Sequence, residues 1–314
     1  MSLPDLNAMS LPELLESLTG PASPGGGVER LLDLAFEEDL GMAGDITSRS
    51  IIPADRVGEG SIVARSAGVV AGLALVECIA HRFERCDKCD VAASDGNSCQ
   101  PGDALARLRM PLRDLLALER TMLNLLGRLS GIATMTKRYV EAIVGTRAVI
   151  CDTRKTTPGL RALEKYAVRC GGGTLHRLGL HDAALFKDNH LAHIPVEALA
   201  EELCNAARTL REKHDVRFVE VEVDTLEQLR EVLSIEVGLI DIVLLDNMMP
   251  DVLRDAVAMR DAASATMLLE ASGGVSLENV RAVAETGVDR ISVGAITHGA
   301  PWLDLALDVE AVAG

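Results

Sequence analysis

A chain of 314 residues, 48% of them apolar, holds one large or two ordinary domains with ample core. A net charge of -16 and 2% aromatic content argue against nucleic acid or an anionic membrane as partner, since both ask for a basic face and the former for stacking rings. No apolar run approaches the ~18 residues of a membrane span, the first residues lack the basic-then-apolar order of an export signal, and seven cysteines in so long a chain read as reduced thiols, so the expected location is cytoplasmic.

In chain order, residues 1–27 read as a short helix over about Leu11 to Leu18 and a flexible linker, GPASPGGG. The fold proper is expected from about Val28, with a helix in VERLLDLAFEEDL, β-prone pieces in GSIVARSAGVVAGL and DALARLRM, and turns in DGNSCQPGD. That alternation predicts a small α+β domain with antiparallel strands. Cys86, Cys89 and Cys99, with His81 nearby, begin a zinc-like C-x2-C pattern but lack a second pair, so the favoured reading is ordinary thiols. A long helix follows over about Leu112 to Val144.

Beyond it the rhythm changes. AVIC, AALF, FVEVEV, IDIVLL, TMLLE and RISVG alternate with helical patterns such as EALAEELCNAARTL, which predicts βα units and a parallel sheet. Six strong strands fall short of the eight in a closed barrel, so the expectation is an open, incomplete α/β barrel, with a doubly wound sheet as second choice. Polar residues follow the strands: DTRK, KDNH, DN, SGG and AITHG. In βα folds these ends build the site, because side chains and helix N-termini converge there.

DTRK alone is an ordinary polar loop, but Arg154 and Lys155 are joined by His176, Arg177 and Lys187 within 35 residues, making a cationic patch in an acidic chain. Alternation in FVEVEVD puts Glu220, Glu222 and Asp224 on one face, which in a barrel points inward and suggests contacts to a metal or to ribose hydroxyls; Asp246 ends the next strand. EASGGVSLENV and VGAITHG suit a phosphate, since glycines admit close backbone approach, and Ser276 is a candidate helix cap. CGGGTLHRLGL also looks like an anion loop, yet it matches neither common phosphate-loop spacing. A sugar phosphate bearing a further anion, with magnesium, meets all these features.

DTRKTTPG, GGG-x-x-HRLGL, KDNH, EVEVD, LLDN, ASGG and VGA-[IL]-TH, in that order, together resemble the quinolinate phosphoribosyltransferase family over Val28 to Asp308. The resemblance implies an N-terminal α/β sandwich (28–130), an open barrel (131–298) and a C-terminal segment (299–314) returning to the first domain. It also implies a homodimer with shared sites, a requirement for Mg2+, and conversion of quinolinate and phosphoribosyl pyrophosphate to nicotinate mononucleotide, pyrophosphate and CO2. By motif, Arg154, His176, Arg177 and Lys187 would hold quinolinate, with Arg120 arriving from the neighbouring subunit. Lys155 and Lys187 would face the pyrophosphate. Glu222 and Asp246 would hold ribose hydroxyls or magnesium, and Ser272, Gly273 and Gly294 the 5'-phosphate. One departure is Leu175, where the family usually has asparagine: it would remove polar groups from the pocket rim, leaving a paralogue for another carboxylated base as the nearest alternative. A Schiff-base lyase using Lys155 or Lys187, or a silent ligand-binding regulator, are the more distant ones.

Overall fold

The computed structural model describes residues 3–20, 27–83, 85–263 and 265–311; the expected linker lies almost wholly outside them. The chain divides into two compact units. One comprises Met9–Lys137, Thr156–Gly172 and Thr297–Gly314. Its strands are β1 (Val57–Ala64), β2 (Gly68–Val69), β3 (Lys88–Val91), β4 (Ser98–Cys99) and β5 (Ala104–Pro111). β1 and β5 pair antiparallel, with Arg109 opposite Glu59 and bonded to it at 2.8 Å on the exposed face. The other face of β5 buries Ala106, Leu108 and Met110.

The helix Leu112–Ala142 buries Leu115, Leu118, Met122, Leu126, Leu129 and Ala133, a stripe at three- and four-residue spacing. The helix Arg161–Cys170 ends at Gly171, and Gly172 takes a left-handed φ of 83°. A Cβ on Gly171 would collide with the Ala133 carbonyl. The glycines of CGGGTL therefore end one helix and let it approach another.

The other unit comprises Met1–Ala8, Arg138–Lys155 and Gly173–Ile296. The six apolar runs form its strands: β6 (Val149–Cys151), β7 (Ala184–Phe186), β8 (Val219–Val223), β9 (Ile242–Asp246), β10 (Leu268–Ser272) and β11 (Arg290–Ser292). They make one parallel sheet in the order β6-β11-β10-β9-β8-β7. First strand lies beside last, and the two edges are the consecutive strands β6 and β7. That is the order of a ring left unjoined at one seam, an open barrel rather than a doubly wound sheet. At the seam Thr174 forms a single parallel bridge with Cys151. The chain ends in β12 (Leu305–Ala311), antiparallel to β1 in the first unit's sheet. Among the described residues no helix is long and apolar enough to cross a membrane.

Candidate active site

The C-terminal ends of the parallel strands surround a cavity of about 620 Å3. It is lined by Arg154 and Lys155 after β6, His176 and Arg177 from the seam, Lys187 after β7, Glu222 on β8, Asp246 on β9, and Ser272 and Gly273 at the end of β10. Nine of the eleven sequence-predicted site residues are thus brought together. Gly294 does not line the cavity, though Ser292 on the same strand end does. Arg120 sits on the helix Leu112–Ala142 with its side chain 65% exposed and also does not line it. A second hollow of about 380 Å3 borders β7 and shares Arg177, but its lining is mostly apolar and brings no set of cations together with carboxylates. The charged cavity is the one equipped for chemistry.

Leu175 faces away from this cavity: it is buried and absent from the lining, so its side chain removes nothing from the rim. Along an extended segment alternate side chains point opposite ways, and His176, next in line, is the residue that faces inward. Burial first, and then the like charge of Arg154, hold the Arg177 guanidinium below its ordinary value. Glu220, Asp182 and Glu222 favour the Arg177 charge in turn. Lys187 Nζ lies 2.7 Å from Glu222 Oε2, so cation and carboxylate meet at the mouth.

Deeper in the cavity wall is a buried cluster whose pairings the motifs do not disclose. His176 Nε2 lies 2.9 Å from Glu220 Oε2 and 3.4 Å from Glu270 Oε1, and Arg290 Nε donates to Glu270 Oε2 at 2.6 Å. Phe218 meets the imidazole edge-on, with ring centroids 5.2 Å apart. Burial resists a charge on His176, but Glu270 and Glu220 outweigh it and would raise the imidazole to about 10. Against that, Nδ1 already accepts the Arg177 N–H at 2.8 Å, which requires its lone pair. The contact decides the matter, because a hydrogen on Nδ1 would meet that N–H directly. The extra proton then belongs on Glu220, whose carboxyl is raised by burial and by the charge of Glu270. Glu270 stays ionised: burial opposes this, but Arg290 bonded to one oxygen and the imidazole facing the other hold it below the ordinary carboxylate range.

The turn after β10 is fixed by backbone geometry. Asn247 has a φ of 52°, the one positive value at a non-glycine among the described residues. Its N–H donates to Ser272 O at 2.8 Å and its Nδ2 to Asp246 Oδ2 at 2.6 Å. Gly273 follows at φ 92°, where a Cβ would collide with Asn247 Oδ1. Ser276 does not cap the next helix as expected. Asn279 Oδ1 takes the Ser276 N–H at 2.8 Å, Asn279 Nδ2 donates to Gly274 O at 2.9 Å, and the regular helix is delayed to Val280–Ala284. Asp224 lies past the end of β8, exposed, so the strand contributes two inward carboxylates rather than three. Cys86 and Cys89 are half-buried near β3, and Cys99 is buried in β4.

Comparison with known proteins agrees with this architecture. The family described as quinolinate phosphoribosyl transferase, N-terminal domain, matches residues 45–130, and its C-terminal domain matches residues 132–308. The nicotinate-nucleotide pyrophosphorylase [carboxylating] of Mycobacterium leprae is 46% identical over 277 residues, covering 88% of this chain and 94% of its own. A probable enzyme of that name from Bacillus subtilis is 43% identical over 282 residues, covering 90% and 93%. The crystal structure of the nicotinate-nucleotide pyrophosphorylase from Ehrlichia chaffeensis superposes with a TM-score of 0.79 at 37% identity, covering 90% of this chain and 98% of that one. The Francisella tularensis structure gives 0.81 at 31% identity, covering 98% and 99%. With both of its domains matched and relatives this similar along nearly their whole length, the chain belongs to the quinolinate phosphoribosyltransferase family.

Proposed function

We propose that this protein transfers the phosphoribosyl group of phosphoribosyl pyrophosphate to quinolinate, giving nicotinate mononucleotide, pyrophosphate and CO2. What carries this reading is the strand-end cavity, in which Arg154, Lys155, Arg177 and Lys187 converge opposite Glu222 and Asp246. A substrate pair made of a dicarboxylate and a triply phosphorylated sugar matches that charge pattern. Arg154 and Arg177 suit planar carboxylates, because a guanidinium can bind them bidentately. Lys155 and Lys187 supply compact charge toward the pyrophosphate, and the Ser272–Gly273 turn offers backbone N–H groups to the 5'-phosphate.

The reaction asks for position and charge more than for a nucleophile. The anomeric C–O bond to pyrophosphate breaks as the quinolinate nitrogen bonds to that carbon. The ring nitrogen becomes cationic, so the adjacent carboxylate can leave as CO2, its electron pair held at the ring carbon until a proton arrives. Glu222 and Asp246, oxygen donors on neighbouring strands, fit a hard cation such as Mg2+, which when bound would neutralise charge on the leaving pyrophosphate. Glu222, with Lys187 beside it, also suits the ribose hydroxyls. We further read the protein as a homodimer in which Arg120, exposed on its own subunit, completes the partner's quinolinate site. We assign it to the cytoplasm, on the strength of its seven free cysteines.

Purified protein given phosphoribosyl pyrophosphate and Mg2+ should form a mononucleotide with quinolinate but not with nicotinate, which lacks the second carboxylate. Turnover with nicotinate and none with quinolinate would overturn the assignment.

A further inference from the structure

The segment that carries His176 and Arg177 is held on both sides. On one side is β6: Thr174 N–H donates to Ile150 O at 2.8 Å, Asp152 N–H donates to Thr174 O at 3.1 Å, and His176 N–H donates to Asp152 Oδ1 at 2.7 Å. Backbone groups of successive extended residues face opposite ways, so Leu175 turns its N–H and C=O away from β6, toward the open seam of the barrel. An unpaired strand edge is expected there. It is filled instead by the N-terminal arm. Leu175 N–H donates to Asn7 Oδ1 at 2.7 Å, and Asn7 Nδ2 donates to Leu175 O at 3.1 Å, so one side-chain amide stands in for the missing neighbouring strand.

The arm is itself anchored. Leu6 is buried, and Asp5 Oδ1 accepts the Asn7 N–H at 2.9 Å, fixing the turn that presents the amide. The far end of the segment is held by Asp182. Asp182 accepts the N–H groups of Leu178 and Gly179, both at 2.8 Å, and lies 3.3 Å from Arg217 Nε, whose charge Asp182 and then Asp5 favour against burial. Both family matches begin downstream of the arm, at residues 45 and 132. Within the arm's own unit, then, Asn7 meets the backbone of the stretch that enters the cavity, and Asp182 holds the far end of that stretch.

We infer that Asn7 is a positioning residue for the quinolinate site, acting through the Leu175 backbone to hold His176 and Arg177 in place. This rests on the reading that His176 and Arg177 meet quinolinate. It also explains why an apolar residue serves at position 175: the backbone of Leu175 makes the polar contacts and its side chain is buried.

The full-length Asn7→Ala protein tests it. Amide hydrogen exchange at Leu175 should quicken, and the KM for quinolinate should rise about tenfold, the scale of one or two net hydrogen bonds, while the KM for phosphoribosyl pyrophosphate and the melting temperature barely move. Asn7→Asp keeps the acceptor for Leu175 N–H and loses the donor, so it should fall between; if the alanine variant fails to fold, this variant decides. Unchanged Leu175 exchange, an unchanged quinolinate KM, or equal rises in both KM values with a lower melting temperature would overturn the inference. Exchange reports on the arm whatever the substrate. A wild-type protein inactive with quinolinate would therefore sink the proposed reaction separately from the positioning role.

Discussion

Glu270 is fully buried in the wall of the cavity, with Arg290 on one oxygen and His176 facing the other. Its folded carboxyl is held below its ordinary 4.5. This group therefore contributes stability that is complete above about pH 4.5 and is lost as pH falls through the depressed folded value. Glu270→Gln leaves Arg290 without its counter-charge and should cost about 3 kcal/mol at neutral pH, while making the acid limb of a urea-unfolding profile shallower by one proton. An unchanged acid limb would remove Glu270 from the cluster's charge balance. At this scale the sequence is legible where a charge follows a strand, as with Arg154, Lys155, Lys187 and Asp246. It is silent on Glu270 and Arg290, which lie within apolar strand runs and look there like chance polar positions. Their pairing depends on β10 lying beside β11, which no local pattern encodes.

Turns are where elements acquire chemistry, and the one after β10 is the most constrained. Gly273 sits at φ 92° with Asn247 Oδ1 against the place a Cβ would take, whereas Gly274, at φ 61°, has open space around it. Gly273→Ala should therefore raise the KM for phosphoribosyl pyrophosphate and lower the melting temperature. Gly274→Ala should cost about 1 kcal/mol, the strain of a left-handed backbone alone. Equal effects from the two would show that the Asn247 contact does not shape the corner. All six parallel strands were legible as short apolar runs with polar ends, and so was the long helix, whose apolar stripe persists from Leu115 to Ala133. The glycine run was ambiguous taken alone, because a helix terminator and an anion loop use the same residue for the same conformational freedom. Ser276 misled as well: the regular helix starts later, at Val280, with residues 277–279 in turns.

For the whole molecule, six parallel strands ordered with first beside last make a barrel open at the seam between β6 and β7. The period of the βα pattern announces such a sheet; that it stays open, and that an N-terminal asparagine closes one strand edge at the seam, depends on contacts across 168 residues of sequence. A homodimer with shared sites predicts complementation. Arg120→Ala and Glu222→Ala proteins should each lose about 100-fold or more in turnover, as when a charged group in such a site is removed, yet mixed subunits should recover activity at one site in each heterodimer. No recovery would mean that Arg120 serves its own chain or none. Coupling between ribosylation of the ring nitrogen and loss of the adjacent carboxylate is read out with quinolinate labelled in the carboxyl group next to that nitrogen. With phosphoribosyl pyrophosphate and Mg2+, the protein should release labelled CO2, pyrophosphate and nicotinate mononucleotide in equal amounts. Pyrophosphate release with the label retained on the nucleotide, or no release with quinolinate at all, would contradict it.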